Sequence, residues 1–294
     1  MPDLLFIVPA RNFDTLHRTL SMLSFQKDKS FRVCIVDLTG SGAAQTVAAE
    51  FEHNLTLTTV SLEATGEPLW KQCLEAAPAA EWVCFPGKDV DLTAKSVGRM
   101  RKCIAGHPTY DVFHWNLAEP NRKFGLKTRP EKLFLYYVNG EEVPLASFVF
   151  RAQALRDAFA ADPDAAGMDL AVIFAAAKKT GIRTARWERV GYKEDASATD
   201  PAQVEKDVRT RLAFYRWSER FFGEDYPLGV GDRLDLFAGE LARLYPSFTA
   251  EELKEDLNTF AVVSGPVRRL RAASALKSAL KARQAAITTP KPEA

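Results

Sequence analysis

Apolar residues fall into two alternating rhythms through the first 110 positions of the chain. The runs LLFIVPA (4–10), RVCIVDL (32–38), LTLTTVSL (55–62) and EWVCFPG (81–87) are short, rich in Val, Ile, Leu and Thr, and stop at turn residues. They read as strands, and the near-continuous apolar ones fit a sheet covered on both faces. Between them FDTLHRTLSMLSFQ, SGAAQTVAAEFE and GEPLWKQCLEAA carry apolar residues at helical spacing, with Leu16, Leu20 and Leu23 on one face of the first. Strand–helix alternation repeated this often predicts an α/β fold with right-handed crossovers. The expected sheet is Rossmann-like, mostly parallel and sandwiched by helices.

The alternation breaks near residue 111. DVFHWNL (111–117) reads as a further strand and is followed by a polar, basic stretch, AEPNRKFGLKTRPEK, of the kind that covers a substrate in α/β enzymes. VPLASFVFRAQALRDAF then predicts a turn, a short strand and a helix. GMDLAVIFAAAKKTG (167–181) predicts a helix with a glycine stop, and IRTARWERVGY a last strand. After Asp200-Pro201 the pattern is helical: AQVEKDVRTRLAFYRWSERFF, RLDLFAGELARLY and SFTAEELKEDLNTFAVV. A boundary is therefore expected near 200, with domain 1–200 followed by a helical extension, 201–294, and no internal repeat.

Charge and cysteine narrow the classes. The formal net charge of +1 gives no global field for nucleic acid. Cys34, Cys73, Cys84 and Cys103 form no metal-ligand spacing, and Cys34 and Cys84 lie in apolar strands, as reduced thiols of a cytoplasmic protein would. The start of the chain lacks the basic and long apolar segments of a signal peptide, and no run approaches the ~18 apolar residues of a membrane span. GxGxxG, GxxxxGK[ST] and GxSxG are all absent, which argues against dinucleotide, P-loop and serine-hydrolase chemistry.

The candidate chemistry sits at strand ends. WVCFPGKDVDL (82–92) runs from an apolar strand through Pro86-Gly87 to Lys88, Asp89 and Asp91. Carboxylates just past the C-terminal edge of a strand are where α/β proteins hold metals and phosphates. The plain alternative is that Asp89 or Asp91 caps a helix beginning around Leu92. Asp37 likewise ends an apolar strand, facing a nucleotide or shaping a turn. Asp169 precedes a very apolar helical run, unlike a solvated mid-helix acid. His114 and Trp115 are expected to pack on the sheet, Trp70 to join the core, and loop 122–132 to be a solvated cover.

Taken in order, these segments resemble the family 2 glycosyltransferases of the GT-A fold over residues 3–200. FIVPARN is similar to that family's first-strand motif, FRVCIVDLTGSG to its VDDGS strand, and EWVCFPGKDV to the strand leading into DxD. VPLASFVFRAQAL resembles its acceptor-side segment, GMDLAVIFAAAKKTG its ED-bearing helix, and GYKEDASAT its closing loop. The resemblance implies a nucleotide diphosphate sugar donor, UDP-linked by preference, and an inverting displacement. It implies a divalent ion, Mn²⁺ or Mg²⁺, that is weakly held or dispensable, because the motif keeps one acid. Residue by residue, Asp89 matches the metal ligand of DxD, with Gly87 where the first aspartate stands. Lys88, between them, would put a compact cation at the diphosphate. Pro9, Ala10 and Arg11 would border the nucleotide, together with Asp37; Leu38 replaces the second acid of VDD. Asp169 matches the general base, with Met168 in place of the glutamate, and Glu194 or Asp195 stands near the place of a histidine.

The tail PVRRLRAASALKSALKARQAAI (266–287) combines six cations, no acid and an apolar stripe, as does a helix that lies on an anionic membrane. Packing on the protein's own helices is the alternative. If it docks, the acceptor would be lipid-linked, as in polysaccharide assembly, and the protein peripheral on the inner face of the membrane. The expectation is thus a cytoplasmic glycosyltransferase acting on a glycan or lipid-linked acceptor. A non-catalytic GT-A-like scaffold subunit is the alternative from another class, and a nucleotidyltransferase is disfavoured by the lack of a glycine-rich activation loop.

Overall fold

The computed structural model describes residues 1–63, 68–87, 90–117, 127–138, 143–192 and 201–228. The chain divides into two compact units, Met1–Asp195 and Ala196–Ala294. The first opens with β1 (Leu4–Ala10), α1 (Phe13–Ser24), β2 (Arg32–Asp37), α2 (Ala43–Ala49), β3 (Thr56–Ser61), α3 (Leu69–Ala76) and β4 (Trp82–Cys84). It continues with β5 (Val90–Asp91), α4 (Ser96–Gly106), β6 (Val112–Leu117), β7 (Lys127–Thr128), α5 (Pro130–Val138), β8 (Phe148–Arg151), α6 (Ala152–Ala161), α7 (Asp169–Ala177) and β9 (Ile182–Tyr192). Short 3-10 turns at Leu145–Ser147 and Pro163–Gly167 precede β8 and α7.

The strands make one nine-stranded sheet in the order β3-β2-β1-β4-β8-β6-β9-β5, with β7 also on β9. β3, β2, β1 and β4 are parallel; β8 is antiparallel to both β4 and β6; and β9 returns parallel to β6. This is the α/β, mostly parallel sheet sandwiched by helices that the alternation predicts. Alternate residues of β1 make the reason visible, since successive side chains in a strand point to opposite faces. Leu4, Phe6, Val8 and Ala10 join Leu16, Leu20 and Leu23 of α1, Ala44 and Ala48 of α2, and Val97, Met100 and Ile104 of α4 in one core. Leu5 and Ile7, also buried, face the other way. There α3 packs on β1, and α3, α6, α7 and α5 pack successively on one another.

Two expectations need correction here. No helix begins at Leu92: Val90 and Asp91 form β5, paired with Tyr192 and Gly191 of β9, and α4 starts only at Ser96. Nor is the stretch 122–132 wholly a cover loop. Residues 118–126 lie outside the described residues, but Lys127–Thr128 pairs with β9 and Pro130 opens α5, which buries Leu133 and Phe134. The glycine stop of 167–181 holds: Gly181 has φ 71° and its N–H bonds Ala177 O at 2.8 Å, a left-handed cap that only glycine takes without strain.

The second unit is described for one long helix, α8 (Pro201–Phe222), and a 3-10 turn at Gly223–Asp225. Phe214, Trp217 and Phe221 stack at i, i+3 and i+7, Trp217 on Phe221 at 4.7 Å. The helices expected beyond it, the basic stretch 266–287, and Glu194 and Asp195 lie outside the described residues. No helix among the described residues is long and apolar enough to cross a membrane.

Candidate active site

The parallel strands β1, β2 and β4 finish at one edge of the sheet, and there β1 outruns β4. β4 pairs only with Leu4–Phe6, so Ile7–Ala10 has β2 alone as a neighbour. Pro9 lies in this one-sided stretch, where a strand tolerates a missing N–H. Ala10 is level with Asp37 of β2 and accepts the N–H of Leu38 at 3.2 Å. Two residues on, Asn12 caps α1 by accepting from the N–H of Thr15 at 3.1 Å. Arg11, held between strand end and cap, is exposed. Its guanidinium lies near enough to α3 to act electrostatically on Cys73.

Asp37 is 1% exposed, and its own loop covers it. Its Oδ1 accepts from Thr39 N at 2.9 Å and from Thr39 Oγ1 at 2.7 Å, an Asx-type turn. The Thr39 hydroxyl and N–H hold the carboxyl below its usual range, with Gly42 and Gly40 N–H groups adding to them against a smaller desolvation. Of the two roles that the sequence offers Asp37, facing a nucleotide or shaping a turn, its Oδ1 bonds to Thr39 supply the second.

At the third strand end, Phe85 is buried and Gly87 meets the turn before β8. A Cβ at Gly87 would stand 3.2 Å from Ala146 Cβ, closer than carbon atoms normally pack. Lys88 and Asp89 lie outside the described residues. Asp91, one of the two cap candidates, instead pairs with Arg18 of α1 at 2.9 Å, and both side chains are about half exposed.

Asp169 is the first residue of α7 rather than a mid-helix acid. Solvent reaches it, yet enough protein surrounds the carboxyl that burial raises it above the ordinary carboxylate value. Trp70 opposes that shift, donating its indole N–H to Asp169 Oδ1 at 2.7 Å. Trp70, expected in the core, is thus half-buried, with its ring 4.9 Å from that of Phe85 and its donor on the acid. Nothing in the sequence marks this pair, whose members are 99 residues apart. α3 packs against the Pro163–Gly167 turn that leads into α7, which brings Trp70 and Asp169 to one place.

Burial also sets the chemistry of one histidine and two cysteines. His114 is buried against Phe148, and desolvation lowers it to about 3, so it is neutral at physiological pH, in keeping with a packing role. Burial pushes the Cys34 thiol up to about 11 and Cys73 up to about 12, so neither is a ready nucleophile. Among the described residues no group of three His, Cys, Asp or Glu side chains could hold a metal ion. Asp37 is bound into its own turn, Asp91 to Arg18 and Asp169 to Trp70, so these acids do not form a cage.

No protein-family model matches the chain, and no curated protein is similar to it in sequence. Solved structures are similar in shape. S. aureus TarS 1–349 in complex with UDP-GlcNAc superimposes with a TM-score of 0.60 at 15% identity, over 97% of this chain and 92% of that one. The mannosyltransferase PcManGT from Pyrobaculum calidifontis, in complex with GDP-Man and Mn²⁺, gives 0.54 at 15% identity, over 99% and 84%. The chain therefore has the GT-A fold, built around the strand edge where Arg11, Asp37 and Gly87 lie.

Proposed function

We propose that the protein is a glycosyltransferase that moves a sugar from a nucleotide diphosphate sugar, UDP-linked by preference, to a hydroxyl of a glycan or lipid-linked acceptor. The observation that carries this reading is Asp169: a solvent-reached carboxylate of raised proton affinity, fixed by one hydrogen bond, in a fold shared with sugar-nucleotide-bound proteins. In the step itself, the acceptor oxygen bonds to the anomeric carbon while the carbon–diphosphate bond breaks. Its electron pair leaves with the diphosphate, and Asp169 takes the hydroxyl proton. Attack opposite the leaving group inverts the anomeric centre. Raised proton affinity suits a base that must accept a proton as attack proceeds. Arg11, exposed beside the nucleotide edge, supplies charge for the phosphates, and Lys88 would add to it.

PcManGT is solved with Mn²⁺, and in this reading Asp89 is the residue that would ligate a divalent ion. Among the described residues no group of three His, Cys, Asp or Glu side chains could hold a metal ion, and no step is routed through metal. The reading also assigns 1–200 to catalysis and 266–287 to an anionic membrane face, with a lipid-linked acceptor in surface-polysaccharide assembly.

The crowding at Gly87 favours one alternative, a GT-A-like subunit that binds without catalysing. Calorimetric titration with UDP, UDP-GlcNAc and GDP-Man, with and without Mn²⁺, decides between the readings when combined with Asp169→Asn. The enzyme reading expects nucleotide binding that survives Asp169→Asn and transfer that falls by about 10²–10⁴-fold. Absence of all nucleotide binding overturns both readings, and binding without any transfer by the wild type leaves the subunit.

A further inference from the structure

We infer that Trp70 is a positioning residue for the base: its indole N–H fixes one carboxylate oxygen of Asp169 and leaves the other for the acceptor hydroxyl. This rests on the reading of Asp169 as the base. A carboxylate at the start of a helix can rotate about its side-chain torsions, and each orientation offers the acceptor a different oxygen. A donor at 2.7 Å on Oδ1 removes that freedom. The donor is itself braced, because the Trp70 ring lies 4.9 Å from Phe85, which is fully buried at the end of β4. Phe85 is followed at once by Pro86-Gly87, the corner at which the donor diphosphate would sit. One ring pair therefore ties the base on α7 to the strand edge, so that the acid and the leaving group keep a fixed separation.

The indole bond also governs proton affinity. It favours the charged carboxylate and works against the burial that raises it. Trp70→Phe keeps a ring against Phe85 and deletes only the donor, so Asp169 should titrate at higher pH. A Trp70 that merely held α3 to α7 would change stability and leave the pH profile in place.

The test uses the full chain and two measurements. In ¹⁵N-labelled protein the Trp70 indole resonance, identified by its loss in Trp70→Phe, should move with pH as Asp169 protonates and should be flat in Asp169→Asn. In transfer assays, Trp70→Phe should shift the acidic limb of kcat to higher pH, lowering activity on that limb by about tenfold with little change in donor KM. An indole resonance indifferent to Asp169→Asn overturns the proposal, as does an acidic limb that coincides with that of the wild type. If Trp70→Phe fails to fold, the indole resonance is assigned by triple-resonance experiments on the wild type, and its titration in the wild type against Asp169→Asn decides alone. A fully active Asp169→Asn overturns the base and the positioning role together. An inactive Asp169→Asn with an unmoved Trp70→Phe limb overturns the positioning role only.

Discussion

Gly87 offers a direct measurement of how closely the strand-end corner is packed. Its backbone is not in the left-handed region, so alanine can adopt it without torsional strain. That change restricts the unfolded chain and alone contributes about 0.4–1 kcal/mol of stability. Against it stands the new Cβ, 3.2 Å from Ala146 Cβ. Ala146 lies in a 3-10 turn between two buried residues, Leu145 and Ser147, and the Ser147 hydroxyl is tied to Pro144 O at 2.8 Å. The turn has little room to retreat, and overpacking of this kind costs about 1–3 kcal/mol. The difference predicts that Gly87→Ala destabilises by up to about 2.6 kcal/mol. For a unit of this size that is a fall in Tm of up to about 10 °C.

The double-mutant cycle with Ala146→Gly isolates the contact. Removing the Ala146 methyl opens the space that the Gly87→Ala methyl needs, so the second change should be neutral or stabilising in that background. The expected coupling is about 1 kcal/mol or more, measured by urea unfolding of the four proteins. Gly87→Asp should follow the same pattern, tolerated with Ala146→Gly and poorly tolerated without it. Additivity of the two changes within about 0.3 kcal/mol would refute the packing account and leave the glycine without a structural reason.

Two further predictions concern pH. His114 is held neutral, its folded value of about 3 lying below the unfolded value of 6.5, so its contribution to stability is complete above 6.5 and is lost as pH falls toward 3. His114→Leu should flatten the fall in unfolding free energy between pH 7.5 and 5; an unchanged slope counts against burial as the cause. Asp37 behaves the same way in proton terms, although here the fold favours the charged form: its folded value is depressed by Thr39, so its contribution is present above the usual carboxylate range and lost as pH falls through the folded value. Asp37→Ala should cost about 1–2 kcal/mol at pH 7 and less at pH 3 in chemical unfolding. Equal costs at both pH values would show that the Thr39 bonds do not favour the charged form.

Element ends were legible in the sequence because they follow from short-range rules. The apolar runs 4–10 and 32–38 became β1 and β2 almost residue for residue, and Gly181 stops the segment after α7 where a glycine cap should. Since Ala10 and Asp37 stand at strand ends, their places could be anticipated as well. What escaped was whatever depends on contacts between distant segments. β5 is two residues long, too short to show a period, and exists through its pairing with Tyr192 and Gly191. α5 was hidden because its buried Leu133 and Phe134 follow a basic stretch that reads as solvated loop. The tryptophans make the point most clearly. Trp70, Trp82 and Trp115 look alike as large residues in apolar segments. Trp82 and Trp115 are buried, and their indole N–H groups find no hydrogen-bond partner among the described residues; Arg151 covers the Trp82 ring at 4.5 Å. Trp70 is half-buried on α3, and the fold sets opposite it a carboxylate delivered from 99 residues away by the turn that starts α7. Its chemistry belongs to the pair and is created by the packing of α3 on that turn. For the same reason a substitution in the turn 163–167, on which α3 and the start of α7 both pack, should disturb the acid as a change at Trp70 does.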